Sequence, residues 1–337
     1  MPILLSHNSA LERLRAVPPQ TDWARRTQRP TPMANVNPTE KDLASLDISH
    51  LGLTQRPIHH LVSQRSKRRW GSGVKSHVCS LDAIPSGLLY DLKDGCFAAG
   101  PELAFIQMAR QTSLLGAVVL GYELCGSYSH FFRFVSGFYE RPHLTTTLAI
   151  ANALDRLKGL RGRSSARRAL AWVQDGSASP METVVSCMLS LPVSMGGFGL
   201  KRPVLNHSVT NDEAAQRITG TKTCKIDNAY PDALCGVEFD GKDYHRDIEK
   251  DRKRREALSH LGWTIYVFNV DELTDYDAIK AKVALLDKVG RISYEKPSED
   301  AGKGLLARLL KATRFGVGLN SVLFGVNVPK GKVRVHI

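Results

Sequence analysis

KIDNAYPDALCGVEFDGKDYH, Lys225 to His245, holds two short β-rich runs on either side of Pro231-Asp232. Proline fixes φ for the first central position of a turn, so the stretch predicts a tight hairpin. Side chains alternate along a strand, which puts Glu238 and Asp240 on one face and Val237 and Phe239 on the other. An even-numbered loop pairs Tyr230 with Ala233, sets Asp227 opposite Gly236 and brings Asp227 to the face of Glu238 and Asp240. A three-residue loop turns Asp227 away. Three carboxylates in reach of one another cannot all stay ionised unaided, and one pKa rises unless a cation sits between them. Hard divalent cations prefer carboxylate oxygens, so Asp227, Glu238 and Asp240 form a candidate site for magnesium or manganese. The competing reading is three unrelated acids: an edge charge, a lone surface acid and an Asp240-Gly241 turn.

Around the hairpin, the sequence predicts a compact unit. Ser179-Pro180-Met181-Glu182 is a helix start, with Ser179 as N-cap, Pro180 at N1 and Glu182 at N3 completing a capping box. LNHSVT reads as a strand, followed by the hairpin and a charged helix near 248–261. GWTIYVFNV then reads as a strand and DELTDYDAIKAKVALLDKVG as a closing helix. The order α-β-β-β-α-β-α predicts one α/β domain over 177–290. Residues 1–143 read as an α+β domain with Asn8-Ser9 capping its first helix and a Pro-, Thr- and Arg-rich loop at 17–45. Residues 144–176 read as a helical, basic connector, and 291–337 as an amphipathic helix and tail.

At 337 residues the chain exceeds ordinary single-domain size. Its 42% apolar and 23% charged residues suit globular protein, but a net charge of +13 is unusual and points to a polyanionic partner. An inert basic surface is the bland alternative. The six cysteines form no C-x-x-C pair, which disfavours a zinc ribbon. No apolar run reaches the ~18 residues of a membrane span, so a reducing, cytoplasmic setting with free thiols is expected, without a membrane partner. The run HRDIEKDRKRREALSHLGW places Arg246, Lys250, Arg252, Lys253, Arg254 and Arg255 beside the acids. Such side chains make sequence-independent phosphate contacts, the alternative being a solvated helix face.

The pattern D-x10-E-x-D, then a histidine, a basic helix and G-W-x-I-x-V, resembles the restriction-endonuclease-like PD-(D/E)xK superfamily. Within it, the chain looks most like bacterial nucleases related to very-short-patch repair endonucleases. The wider layout, with SH-x-SALE near the start and SPMET before the core, resembles multi-domain proteins of the abortive-infection and toxin–antitoxin type. This resemblance implies a C-terminal restriction-endonuclease-like domain that hydrolyses DNA with Mg²⁺ or Mn²⁺, in defence or repair. It implies Asp227 as the metal-ligating aspartate, Glu238 as the acid opening the third-strand motif and Glu182 as the first-helix acid. His245 matches a histidine that could handle a proton, whereas His207 is expected to be structural. Asp240 stands where lysine is usual. Lys225, opposite Glu238 in the even-loop register, or Lys242 could supply the amine. The N-terminal domain would be a binding or regulatory module facing a protein partner. Two other readings stay open: a non-catalytic, antitoxin-like regulator that binds nucleic acid on a degenerate nuclease fold, and a purely structural interaction protein, which the charge balance opposes.

Overall fold

The computed structural model describes residues 1–16, 25–130, 138–241, 248–290 and 296–314. The architecture is α/β, with mixed sheets and helices throughout. The chain divides into two compact units. Met1–Leu124 and Ser129–Val173 belong to the first, Cys125–Tyr128 and Gln174–Thr313 to the second.

In the first unit, strands β1 (Ile3–Leu5), β2 (Arg25–Arg26), β4 (Ile58–Val62), β5 (Val74–Val78), β7 (Leu89–Asp91) and β8 (Cys96–Ala99) form one sheet ordered β2-β7-β8-β1-β4-β5. Strands β3 (Thr31–Pro32) and β6 (Ala83–Ile84) make a small separate pair, as do β9 (Tyr128–His130) and β10 (Phe138–Glu140). The central β1 pairs in parallel with β8 and antiparallel with β4. Its residues are fully buried, which is why ILL is unbroken by a polar side chain. Helix α1 (His7–Ala16) begins at His7 rather than after Asn8-Ser9. Ser9 instead accepts the His59 N–H at 2.9 Å, tying α1 to β4. Helix α2 (Glu40–Ala44), unforeseen in the 17–45 loop, is started by a Thr39/Asp42 capping box. Pro101 opens α3 (Pro101–Ala109) at N1, and α4 (Leu114–Cys125) follows. Helices α5 (Thr147–Arg156) and α6 (Arg163–Leu170) pack against α3 within this unit.

Three histidines gather between α1, β4 and β5. The rings of His7 and His77 stack with centroids 3.6 Å apart, and His77 Nε2 lies 3.0 Å from His59 Nδ1. Elsewhere in this unit, the fully buried Glu123 carboxylate accepts from Arg15 Nε at 2.8 Å. Burial would raise its pKa, but Arg15, followed by His130 and Arg141, holds it down at about 2.

The second unit carries α7 (Pro180–Ser190), β11 (Val204–Thr210), α8 (Glu213–Thr219), β12 (Thr223–Tyr230), β13 (Cys235–Asp240), α9 (Ile248–His260), β14 (Thr264–Asn269), α10 (Val270–Thr274), α11 (Tyr276–Gly290) and α12 (Glu299–Arg314). Its sheet runs β11-β12-β13-β14, antiparallel except for the parallel pair β13-β14. Compared with the expected order, α8 is added and the single closing helix is divided into α10 and α11. Residue Asp212 caps α8, accepting Ala215 N–H at 2.8 Å, and Gly220 ends it in the left-handed region. Ile226 and Cys224 of β12 pack with Ala257 and Leu258 of α9 and with Trp263. Gly236 makes this packing possible, because a Cβ there would lie 2.4 Å from Ile226 Cγ2. The Gly196-Gly197 break lets α12 close in: at Gly196, φ is +98°, and a Cβ would meet Ala301 O at 2.2 Å.

The hairpin loop holds four residues, Pro231 to Leu234, so Tyr230 pairs with Cys235 rather than with Ala233. Leu234 closes it at φ +46°. The expected register thus slips by two residues, and parity keeps its consequence. Continuing Asn228↔Val237 sets Asp227 across from Glu238 and Lys225 across from Asp240. The expectation that Lys225 faces Glu238 is corrected accordingly. All six cysteines are buried, and none of them forms a disulfide. Among the described residues, no helix is long and apolar enough to cross a membrane.

Candidate active site

The site lies at the end of the β12-β13 hairpin away from its turn. There, side chains link the strands. Asp227 Oδ2 accepts the Phe239 N–H at 2.9 Å. Arg254 reaches from α9 to both strands: Nη1 donates to the Lys225 carbonyl at 3.0 Å and to Glu238 Oε1, and Nη2 donates to Glu238 Oε2 at 3.0 Å. Glu238 is only 3% exposed, so this two-pronged pairing supplies the countercharge that a buried carboxylate requires.

Helix α7 brings the third acid. Ser179 accepts the Glu182 N–H at 3.1 Å as the predicted N-cap. The return arm of the expected capping box reaches one residue farther, since Glu182 Oε2 accepts from Ala178 N at 2.8 Å. The same oxygen accepts Asn206 Nδ2 at 2.9 Å. Asn206 lies on β11 between Leu205, paired with Asn228, and His207, paired with Ile226, and so lies beside Asp227. Its φ of +47° is tolerated by asparagine.

These neighbours set the electrostatics. Burial pushes the Asp227 carboxyl up to about 7, and the Glu182 and Glu238 charges add to the rise. The Phe239 N–H and Arg254 oppose it without cancelling it. Asp227, Glu182 and Glu238 therefore form one interacting acidic group, short of positive charge at Asp227.

The remaining predicted residues scatter around it. Asp240 ends β13, with Arg255 Nη2 at 3.7 Å. Arg252 grips its own helix, bonding Glu249 at 2.8 and 2.9 Å and Glu256 at 2.9 Å. Lys250, Lys253 and Lys225 line a cleft beside the acids together with Arg254. His245, Arg246 and Lys242 lie outside the described residues. His207 sits on β11 with its ring 5.7 Å from Trp263, in a packing position.

In kind, the donor set suits a hard cation, being carboxylate oxygens with an unmet negative charge at Asp227. It is not assembled as a cage: among the described residues no group of three or more His, Cys, Asp or Glu side chains is arranged to hold a metal ion. Both Glu238 oxygens face Arg254 instead, and one Glu182 oxygen faces Asn206 and Ala178.

No family model, curated protein or solved structure matches the chain.

Two features of this site escaped the sequence reading. Asn206 carries no signal beyond its residue type. Arg254 did carry one: Arg254, Ala257 and Leu258 stand at i, i+3 and i+4, so the arginine shares the helix's apolar face and points inward.

Proposed function

We propose that the second unit is a magnesium- or manganese-dependent phosphodiesterase acting on DNA. The observation that carries this reading is the Asp227 carboxyl, raised to about 7 between Glu182 and Glu238 and bordered by a helix rich in Lys and Arg. Like charges crowd that carboxyl, and a hard divalent cation bound beside it would relieve the crowding. Asp227 and Glu238, with Asp240 at the strand end, are the residues that would hold the metal. Bound there, the ion would polarise a phosphoryl oxygen and acidify a water molecule. Asn206 fixes Glu182 beside Asp227, and Arg254 holds Glu238 in place through both of its oxygens. The resemblance of D-x10-E-x-D to the restriction-endonuclease-like superfamily supports the same assignment.

The arginine clamp favours one alternative. A guanidinium already satisfies Glu238, and Asp240 stands where the superfamily usually has lysine. Both features suit a non-catalytic DNA-binding regulator. Incubating the full chain with supercoiled plasmid and Mg²⁺ or Mn²⁺, beside Asp227→Ala and Glu238→Ala, separates the two. Nicking by the wild type alone supports the phosphodiesterase. Equal nicking by all three sinks the assignment, and salt-sensitive binding without nicking supports the regulator.

A further inference from the structure

We propose that the cleft between the end of α8, the start of β12 and α9 is a seat for a phosphodiester group of a polynucleotide backbone, and that Arg254 is shared between this seat and Glu238. This rests on the DNA reading above and names the contacts that reading lacks.

The cleft measures about 300 Å³, and Thr219, Thr221, Lys225, Lys250, Lys253 and Arg254 are among its lining residues. Four cations around one hollow repel each other, and a phosphate relieves that repulsion while accepting from ammonium, guanidinium and hydroxyl donors. Glu249, the carboxylate in the wall, is already engaged: Arg252 bonds both its oxygens, and Lys253 forms a looser, exposed ion pair with it at 3.8 Å. The cleft therefore presents a net positive charge to solvent. Lys225 and Lys253 are exposed, so neither is needed to hold the core together.

Arg254 gives the seat its link to the acids. A guanidinium carries five N–H donors in a fixed plane. Arg254 spends three bonds on Glu238 and the Lys225 carbonyl while lining the cleft. A phosphate in the seat competes with Glu238 for the same charge. Occupation of the seat thus loosens the hold on Glu238, the carboxylate that the proposed chemistry needs free.

The test is fluorescence anisotropy of the full chain with a labelled 20-base-pair duplex in EDTA, across a salt series. Lys225→Gln/Lys253→Gln is expected to bind about tenfold more weakly and to lower the slope of log K against log salt by about 2, near 0.9 per contact. The charge-matched control Arg308→Gln/Lys311→Gln, on exposed positions of α12, is expected to bind like the wild type. Unchanged binding by the first variant, or equal weakening by the control, overturns the seat. The Arg254 Nε–H resonance is expected to shift on titration with the duplex, and a stationary resonance overturns the sharing. EDTA keeps the result separate from catalysis. Weakened binding together with a wild type that never nicks plasmid leaves the seat standing and removes the phosphodiesterase; nicking with unchanged binding does the reverse.

Discussion

The Arg254 guanidinium faces both carboxylate oxygens of Glu238 across the α9-β13 junction, with Nη2 and Oε2 3.0 Å apart. Removing one member of such a pair strands the other, because a charge taken out of water keeps its desolvation cost after losing its partner. Arg254→Met is expected to cost about 3 kcal/mol. Arg254→Met/Glu238→Gln should recover most of that loss, as neither member of the pair then leaves a buried charge without its partner. Urea denaturation of the two single variants and the double variant checks the coupling. Strictly additive effects would show that the pair contributes nothing.

Asp227 makes stability depend on pH in the opposite sense from most carboxylates. Its folded pKa of about 7 lies above the ordinary value of 3.8, so the native state binds the extra proton between the two. Stability of the second unit should fall as pH rises from about 4 to about 7 and then level off. Asp227→Asn, neutral throughout, should be more stable than the wild type at pH 8 by about 2 kcal/mol. A denaturation series from pH 5 to pH 8 that showed Asp227→Asn less stable at the alkaline end would contradict the assignment.

The same unmet charge predicts a metal response. Millimolar Mn²⁺ should raise the wild-type Tm more at pH 8 than at pH 6, since deprotonated Asp227 is the better ligand. Asp227→Asn should lose most of that rise. A shift of equal size in both proteins places manganese elsewhere.

The stacked histidines predict acid sensitivity in the first unit. Burial lowers His7 strongly, with help from His77, His59, Lys75 and Arg110. Burial also lowers His59 to about 4, with Lys75 and His60 adding to the effect. His77 falls to about 3 through burial, then His59, Lys75, His60 and Arg68. Each is neutral when folded and protonates near 6.5 when unfolded. Stability is therefore complete above about 6.5 and is lost as pH falls toward 4, by up to about 1.4 kcal/mol per pH unit for each histidine. Hydrogen exchange over Ile58–Val78 should accelerate between pH 7 and pH 5 beyond its intrinsic pH dependence. His59→Gln should flatten the trend, and protection that holds constant would refute it.

Gly236→Ala tests the packing under the hairpin. The added methyl would sit 2.4 Å from Ile226 Cγ2 and 3.0 Å from Ile265 Cδ1. A loss of about 1–3 kcal/mol in urea denaturation is expected. Full retention of stability would mean that β12 and β13 do not approach as described.

Much of the second unit was legible in its local chemistry. Ser179-Pro180 starts α7 because a hydroxyl and a ring of fixed φ act within one turn of chain. GWTIYVFN makes β14 because its side chains favour a pleated surface. Helix α8 was missed although Asp212 and Gly220 both mark its ends. At seven residues, it is too short for periodicity to stand out. In the 17–45 loop, Thr39 and Asp42 gave a comparable but unread signal for α2.

Sequence alone determined that Glu238 and Asp240 share a face, and that Asp227 joins them for any even-numbered loop, because alternation along paired strands survives an even change of loop length. It also determined the basic character of α9. Tertiary structure decided what those charges do. The four-residue loop, rather than a two-residue one, put Asp227 across from Glu238 and moved Lys225 to Asp240. The packing of α7 brought Glu182 close enough to help lift Asp227 to about 7. The packing of Ala257 and Leu258 turned Arg254 inward, while Lys253, one residue away, stayed at the surface. Pairing of charges depends on distance and on exclusion of water, and both are set by which faces meet in the folded chain.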